Sequence, residues 1–201
     1  MTKPLGIILA GGRATRMGGG DKALLPLGDG TLLSHVIDRL APQVGAVALN
    51  ANGDPARFEA VGLPVLADSV GGFAGPLAGV LAGLDWAAAQ GAGAVVSVAA
   101  DTPFFPRDLV AKLQEAGAGM AHPLVLAATP DGRQPTFGFW PVALRDDLRA
   151  ALTGGLRKVV LWTDAHGGRQ ALFEGYAPEP FFNVNTPDDL AAAQAMLEAA
   201  Q

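Results

Sequence analysis

Two kinds of hydrophobic run alternate along this chain. Short, almost wholly apolar stretches recur at 5–10, 46–49, 63–67 and 94–100, the pattern of a strand covered on both faces. Between them, apolar residues return at the helical period. Thr31 is placed to cap a helix carrying Leu33, Val36, Ile37 and Leu40 on one stripe. A short helix is predicted around 56–61. Pro76 suits the first turn of a helix that aligns Leu77, Val80, Leu81 and Leu84. A further helix is predicted over 106–116.

Beyond residue 120 the pattern is less regular. Strands are predicted at 124–128 and 136–140 around a turn at Pro130-Asp-Gly132, then a helix over 143–152. Residues 157–164 fit neither period well. A late strand is predicted at 181–184. Thr186, followed by Pro187 and two acids, opens the last helix. Strand and helix alternate with short connections and no repeat or low-complexity linker, which predicts one α/β domain with a mainly parallel sheet. Ligands of such sheets bind beyond the carboxyl ends of the strands.

Composition agrees and narrows the function classes. The chain has 201 residues, 50% hydrophobic and 16% charged, enough for a substantial core and unlike a disordered chain. The net charge of −5 offers no footprint for nucleic acid or an anionic membrane. The absence of cysteine excludes disulfides and thiolate chemistry and fits a cytoplasmic protein. The apolar run after Lys3 is too short for a signal peptide. Residues 78–100 carry only Asp85 as a charge, but Gln90-Gly91 splits them into a helix and a strand.

The strand ends hold the candidate chemistry. After the first strand come Gly11, Gly12, Gly18, Gly19 and Gly20, with Arg13, Arg16 and Lys22. Glycines let backbone N–H groups turn onto an anion, and the cations add charge. The segment is not a Walker A loop, since Gly-Lys-Ser/Thr is missing. Asn50 and Asn52 follow the second strand, as a turn or as amides able to read a base edge. Asp68 follows the third, and Gly71 to Gly75 lead into a helix N-terminus, a second anion site. Asp101 ends the fourth, where an acid can cap a helix or hold Mg²⁺. No serine has a nucleophile-elbow context, and His35, His122 and His166 lack ligand spacing. A nicotinamide dehydrogenase fits poorly, because Asn50 and Asn52 stand where it would place an acid.

The motif Leu-Ala-Gly-Gly-x-x-x-Arg-Met-Gly-Gly-x-Asp-Lys, residues 9–22, resembles the signature of the molybdenum cofactor guanylyltransferase family. The resemblance continues through Asn50-Ala-Asn52, Asp68-Ser69, Gly75-Pro-Leu-Ala-Gly79, Asp101-Thr-Pro103 and Phe182-Asn-Val-Asn-Thr-Pro187. It implies a Rossmann-like three-layer sandwich with a nucleotide half at about 1–103 and an acceptor half at about 104–201. It also implies transfer of GMP from GTP to Mo-molybdopterin, with release of pyrophosphate and Mg²⁺ as cofactor.

By that resemblance Leu9, Ala10, Gly11, Gly12 and Gly75 line the nucleotide, and Lys22 binds its phosphates. Asn50 and Asp68 contact the guanosine, Asp101 holds the metal, and Arg16, Asn183 and Asn185 face the pterin. Lys22, Asp101 and Arg16 form the catalytic set. A molybdenum insertase and molybdoenzyme apoproteins are the implied protein partners. Some family members carry His-Pro-Thr where this chain has Gln134-Pro135-Thr136, which removes a group titrating near neutrality. A cytidylyltransferase on the same pterin, a sugar-1-phosphate nucleotidyltransferase and a nucleotide-binding accessory module are the alternatives.

Overall fold

The computed structural model describes residues 3–11, 21–71 and 75–199. Its centre is a seven-stranded sheet of order β5-β4-β1-β6-β8-β7-β9. The strands are β1 (Leu5–Leu9), β4 (Val47–Asn50), β5 (Val65–Leu66), β6 (Ala94–Ala99), β7 (Val125–Thr129), β8 (Gly132–Pro141) and β9 (Arg169–Leu172). Only β8 runs antiparallel to its neighbours. Its direction follows from the β7–β8 hairpin, where Gly132 takes φ +144°, a conformation that favours glycine. A separate two-stranded ribbon joins β2 (Pro26–Leu27) to β3 (Gly30–Thr31).

Alternation along the strands sorts the core onto two faces. Ile8, Leu49, Val96 and Val125 pack into one cluster with α1 (Leu32–Leu40) and α3 (Leu109–Ala116). Ile7, Ala48, Val95 and Leu126 pack into the other with α2 (Pro76–Ala89), α4 (Arg145–Thr153) and α5 (Val159–Ala165). The result is the expected α/β three-layer sandwich. Thr31 caps α1 in a reciprocal box with Ser34, and Pro76 opens α2. Gly79 and Gly83, one turn apart on α2, let that helix lie against β1. A Cβ at Gly83 would stand 3.1 Å from Ile7, and one at Gly79 would stand 2.7 Å from Leu9.

Three expectations differ from the structure. Residues 181–184 form no strand; Val184 is buried and its N–H donates to the Asp101 carbonyl (2.9 Å). The run is apolar because Phe181 joins the first cluster while Phe182 and Val184 join a third with Leu27, Leu32, Phe104 and Ala193 of α6 (Pro187–Ala199). The stretch predicted as a helix at 106–116 becomes helical only from Leu109, and 55–61 is a 3₁₀ helix. Strand β9 carries an exposed-exposed-buried-exposed pattern, too little apolar surface to be read as a strand.

Candidate functional site

Strands β1, β4, β5 and β6 deliver their carboxyl ends to one edge of the sheet. The ladder closes tightly there. The Ala10 N–H donates to the Asn50 carbonyl (2.9 Å), and the Ala100 N–H donates to the Leu9 carbonyl (3.1 Å). Gly11 is therefore the first position past the last of these bonds. Neither Gly11 nor Gly75 has a described atom within 4 Å of where a Cβ would stand. Gly12 and Arg16 lie outside the described residues.

Lys22 returns the chain to this edge in a short 3₁₀ turn, Lys22–Leu24. Its ammonium donates to Asp101 Oδ2 at 2.6 Å and to Asn185 Oδ1 at 2.6 Å. The lysine is only 8% exposed, and a buried charge needs such partners. Three distant segments thus meet at one ion pair. Asp101 comes from the end of β6, and among the described residues its Oδ1 takes a 3.3 Å contact from the Thr102 hydroxyl. Asn185 comes from the segment before α6.

That segment is held by Asp189. Its Oδ2 accepts the N–H groups of Asn185 and Thr186, both at 2.8 Å, while its own N–H donates to Thr186 Oγ1 at 3.2 Å. This is a reciprocal cap on α6. The Asn185 N–H, then the Thr186 contacts, hold the Asp189 carboxyl below its ordinary value of 3.8. A depressed carboxyl contributes stability above its ordinary value and loses it as pH falls through the depressed one. Denaturation of Asp189→Asn and of the parent chain is therefore expected to differ at neutral pH. The difference closes as pH falls below 3.8; a gap persisting in strong acid would contradict the capping role.

A second cluster lies at the ends of β4 and β5. Asn50, 5% exposed, donates one amide hydrogen to the Leu66 carbonyl (3.1 Å) and the other to Asp68 Oδ1 (3.0 Å). Asn52 donates to Asp68 Oδ2 (2.8 Å) and accepts the Asp68 N–H (2.9 Å). The Asp68 carboxylate is thus gripped by one amide on each oxygen. Both amide hydrogens of Asn50 are thus directed within the protein, one of them at Asp68. Asn50 Oδ1 lies where a Gly79 Cβ would be. Gly79→Ala is expected to cost about 1–3 kcal/mol by overpacking, read as a lower urea midpoint; an unchanged midpoint would refute the close approach.

The remaining candidates separate. Asn183 is exposed and has no hydrogen bond to Lys22 or Asp101, whereas Asn185 joins both residues' cluster. Gln134 pairs with Ala127, beside a bulge in which β8 carries extra residues before Gly138. The Thr136 carbonyl in that bulge accepts from Ser97 Oγ at 2.8 Å. Gly79, Asp21 and Arg57 were not singled out from sequence. Gly79 and Asp21 lie inside quoted motifs; Arg57 carries no local signal.

A buried ammonium, a strand-end carboxylate and an amide-gripped carboxylate on one sheet edge have the form of an α/β domain that handles a polyanionic nucleotide. Residues 6–167 match the family model described as a MobA-like NTP transferase domain, and the chain belongs to that family. A molybdenum cofactor guanylyltransferase from Mesorhizobium japonicum is 50% identical over 201 residues, covering 96% of each chain. One from Bradyrhizobium sp. is 53% identical over 192 residues, covering 94% of this chain and 91% of its own. Among solved structures, molybdopterin-guanine dinucleotide biosynthesis protein A from Archaeoglobus fulgidus shares the fold. Its TM-score is 0.77 at 22% identity, covering 97% of this chain and 99% of that one. Among the described residues, no helix is long and apolar enough to cross a membrane.

Proposed function

We propose that this chain transfers GMP from GTP to the phosphate of Mo-molybdopterin, forming Mo-molybdopterin guanine dinucleotide and pyrophosphate. The relatives at about half identity across nearly the whole chain support this reading. The structural observation that carries it is the Lys22–Asp101–Asn185 junction, at which, in this reading, a nucleotide half (about 1–103) meets an acceptor half (about 104–201). An acceptor phosphate oxygen forms a bond to the α-phosphorus of GTP. The bond from that phosphorus to the bridging oxygen breaks, and its electron pair leaves with pyrophosphate. An anionic acceptor brings its own nucleophile, so the protein's work is alignment and charge neutralisation.

In this reading the backbone of Leu9, Ala10, Gly11, Gly12 and Gly75 lines the nucleotide. Lys22 meets the phosphates as a point charge. Asn50 and Asp68 take the guanosine side, with the Asp68 carboxylate held by the Asn50 amide. Arg16, Asn183 and Asn185 serve the acceptor, with Asn185 the member placed against Lys22.

Asp101 is the residue that would hold Mg²⁺. Its carboxylate is a hard oxygen donor, 23% exposed, and among the described residues Oδ1 is met by the 3.3 Å Thr102 hydroxyl contact. No group of three or more His, Cys, Asp or Glu able to hold a metal occurs among the described residues. Mg²⁺ takes one or two carboxylates and otherwise water and substrate phosphates. When bound, the ion supplies Lewis-acid stabilisation of phosphate charge.

The reading places the reaction in the cytoplasm, between a molybdenum insertase that supplies the pterin and apoproteins that receive the product. Its test is Mg²⁺-dependent pyrophosphate release with GTP, CTP or ATP, each with no acceptor, with Mo-molybdopterin or with a sugar 1-phosphate. Release with GTP and pterin together is expected. Turnover with CTP alone would make the chain a cytidylyltransferase, and turnover with a sugar 1-phosphate would make it a sugar nucleotidyltransferase. Binding of GTP without turnover would make it an accessory module.

A further inference from the structure

We infer that Arg57 is a positioning residue that fixes Lys22 relative to the Asn52–Asp68 pair; the inference rests on the function proposed above. Arg57 lies in the 3₁₀ helix Pro55–Val61, which Asp54 caps by accepting the Ala56 N–H (2.9 Å). Its guanidinium reaches in two directions. One terminal nitrogen donates to the Asn52 carbonyl at 2.6 Å, and Nε lies 3.1 Å from Asp21 Oδ2. Asn52 is the residue that grips Asp68 through both its backbone N–H and its carboxylate. Asp21 directly precedes Lys22, and its carbonyl accepts the Leu24 N–H (3.0 Å) that closes the Lys22 turn. One side chain therefore bridges the proposed guanosine end and the proposed phosphate end.

Local structure holds that bridge in one geometry. The Arg57 guanidinium sits over the Phe58 ring, 5.0 Å from its centroid, and Phe58 is 1% exposed in the core. Gly53, at φ +89°, turns the Asn52 carbonyl toward Arg57, and a Cβ there would stand 3.2 Å from Nη1. Magnitude argues against a role in stability alone. The Arg57 and Asp21 side chains are 35% and 23% exposed, a range in which ion pairs stabilise weakly. A planar guanidinium holds its two partners at a fixed spacing through different nitrogens, whereas a lysine offers one nitrogen on a flexible stem. Alignment of a phosphate donor is sensitive to displacements of this kind, because a shift of about 1 Å at the reacting centre costs on the order of 100-fold in rate.

The test pairs a kinetic readout with one that needs no turnover. Arg57→Ala is expected to lower kcat for GTP-dependent pyrophosphate release about 10- to 100-fold, with the KM for GTP changing less than about 3-fold. The melting midpoint should shift by no more than about 2–4 °C. Arg57→Lys should not restore kcat. Asp21→Asn should reproduce the loss, and the double variant should be no worse than either single one, since both cut the same link.

In the free protein, hydrogen exchange at the Leu24 and Leu25 amides should speed by about 10-fold in Arg57→Ala while β6 stays protected. Unchanged exchange at those amides overturns the inference whether or not the parent chain uses GTP. Multiplying losses in the double variant, rescue by lysine, or an effect confined to KM overturns it as well. A parent chain that releases no pyrophosphate from GTP, with the exchange change present, counts against the proposed reaction and leaves the Arg57 bridge standing.

Discussion

Asp101→Asn is expected to lower pyrophosphate release by about 100- to 1000-fold, the scale on which removal of one preorganised charged group acts. Asparagine is the informative replacement because of what Asp101 does in the resting protein. Its Oδ2 is 2.6 Å from the Lys22 ammonium, whose side chain is 9% exposed. Among the described residues, alanine would leave that ammonium with Asn185 Oδ1 as its partner. Breaking a buried ion pair from one side costs about 3–5 kcal/mol, less here because the Asp101 side chain is 23% exposed and water screens it. An activity loss in Asp101→Ala would therefore mix chemistry with a displaced lysine. Asparagine keeps an oxygen acceptor for Lys22 while removing the charge that a hard cation needs. Wild-type release by a folded Asp101→Asn variant would remove Asp101 from the reaction.

The legible parts of this fold and the illegible ones divide on physical grounds. Strands β1, β4 and β6 are buried on both faces, so their apolar runs stand out from a chain whose helices keep the helical period. Thr31, Pro76 and Thr186 announce helix starts because capping chemistry is local. Residues 181–184 read as a strand for the same reason that β1 does, an apolar run, yet Phe181 is buried on Phe137 and Phe173 and Val184 against α6 and β2, rather than in a ladder. Periodicity records burial and does not record which surface does the burying. Strand β9 was missed because a mostly exposed edge strand needs few apolar residues.

The site divides similarly. Lys22, Asp68 and Asp101 were visible because each follows a strand or a glycine run. Their pairing was not: Lys22 meets Asp101 across 79 positions and Asn185 across 163. Asn50 was expected to contact guanosine, and only the geometry shows its two donors directed to Leu66 and Asp68. Arg57 had no signal at all, since an exposed arginine in a short helix is the ordinary case and its meaning comes from what it bridges.

Lys22→Met carries the other large expected effect, and it separates two roles that activity alone would merge. Methionine retains an unbranched apolar stem in the buried position and deletes the ammonium. Turnover of GTP should fall about 100- to 1000-fold, because phosphate charge loses its point-charge partner. Binding of a divalent cation to the free protein should move the opposite way. In the resting protein the ammonium occupies Asp101 Oδ2, so a cation entering there meets a buried like charge and must compete for one carboxylate. Removing the ammonium lifts that competition. Mn²⁺, followed by its electron paramagnetic resonance signal without nucleotide, should bind Lys22→Met more tightly than the parent chain and should not bind Lys22→Met/Asp101→Asn more tightly. Adding GTP to the parent chain should tighten Mn²⁺ as well, since phosphates that draw Lys22 away free the carboxylate, and linkage makes the effect reciprocal. Mn²⁺ affinity unchanged by Lys22→Met would mean that lysine and metal do not share Asp101. Unchanged GTP turnover would remove Lys22 from phosphate handling.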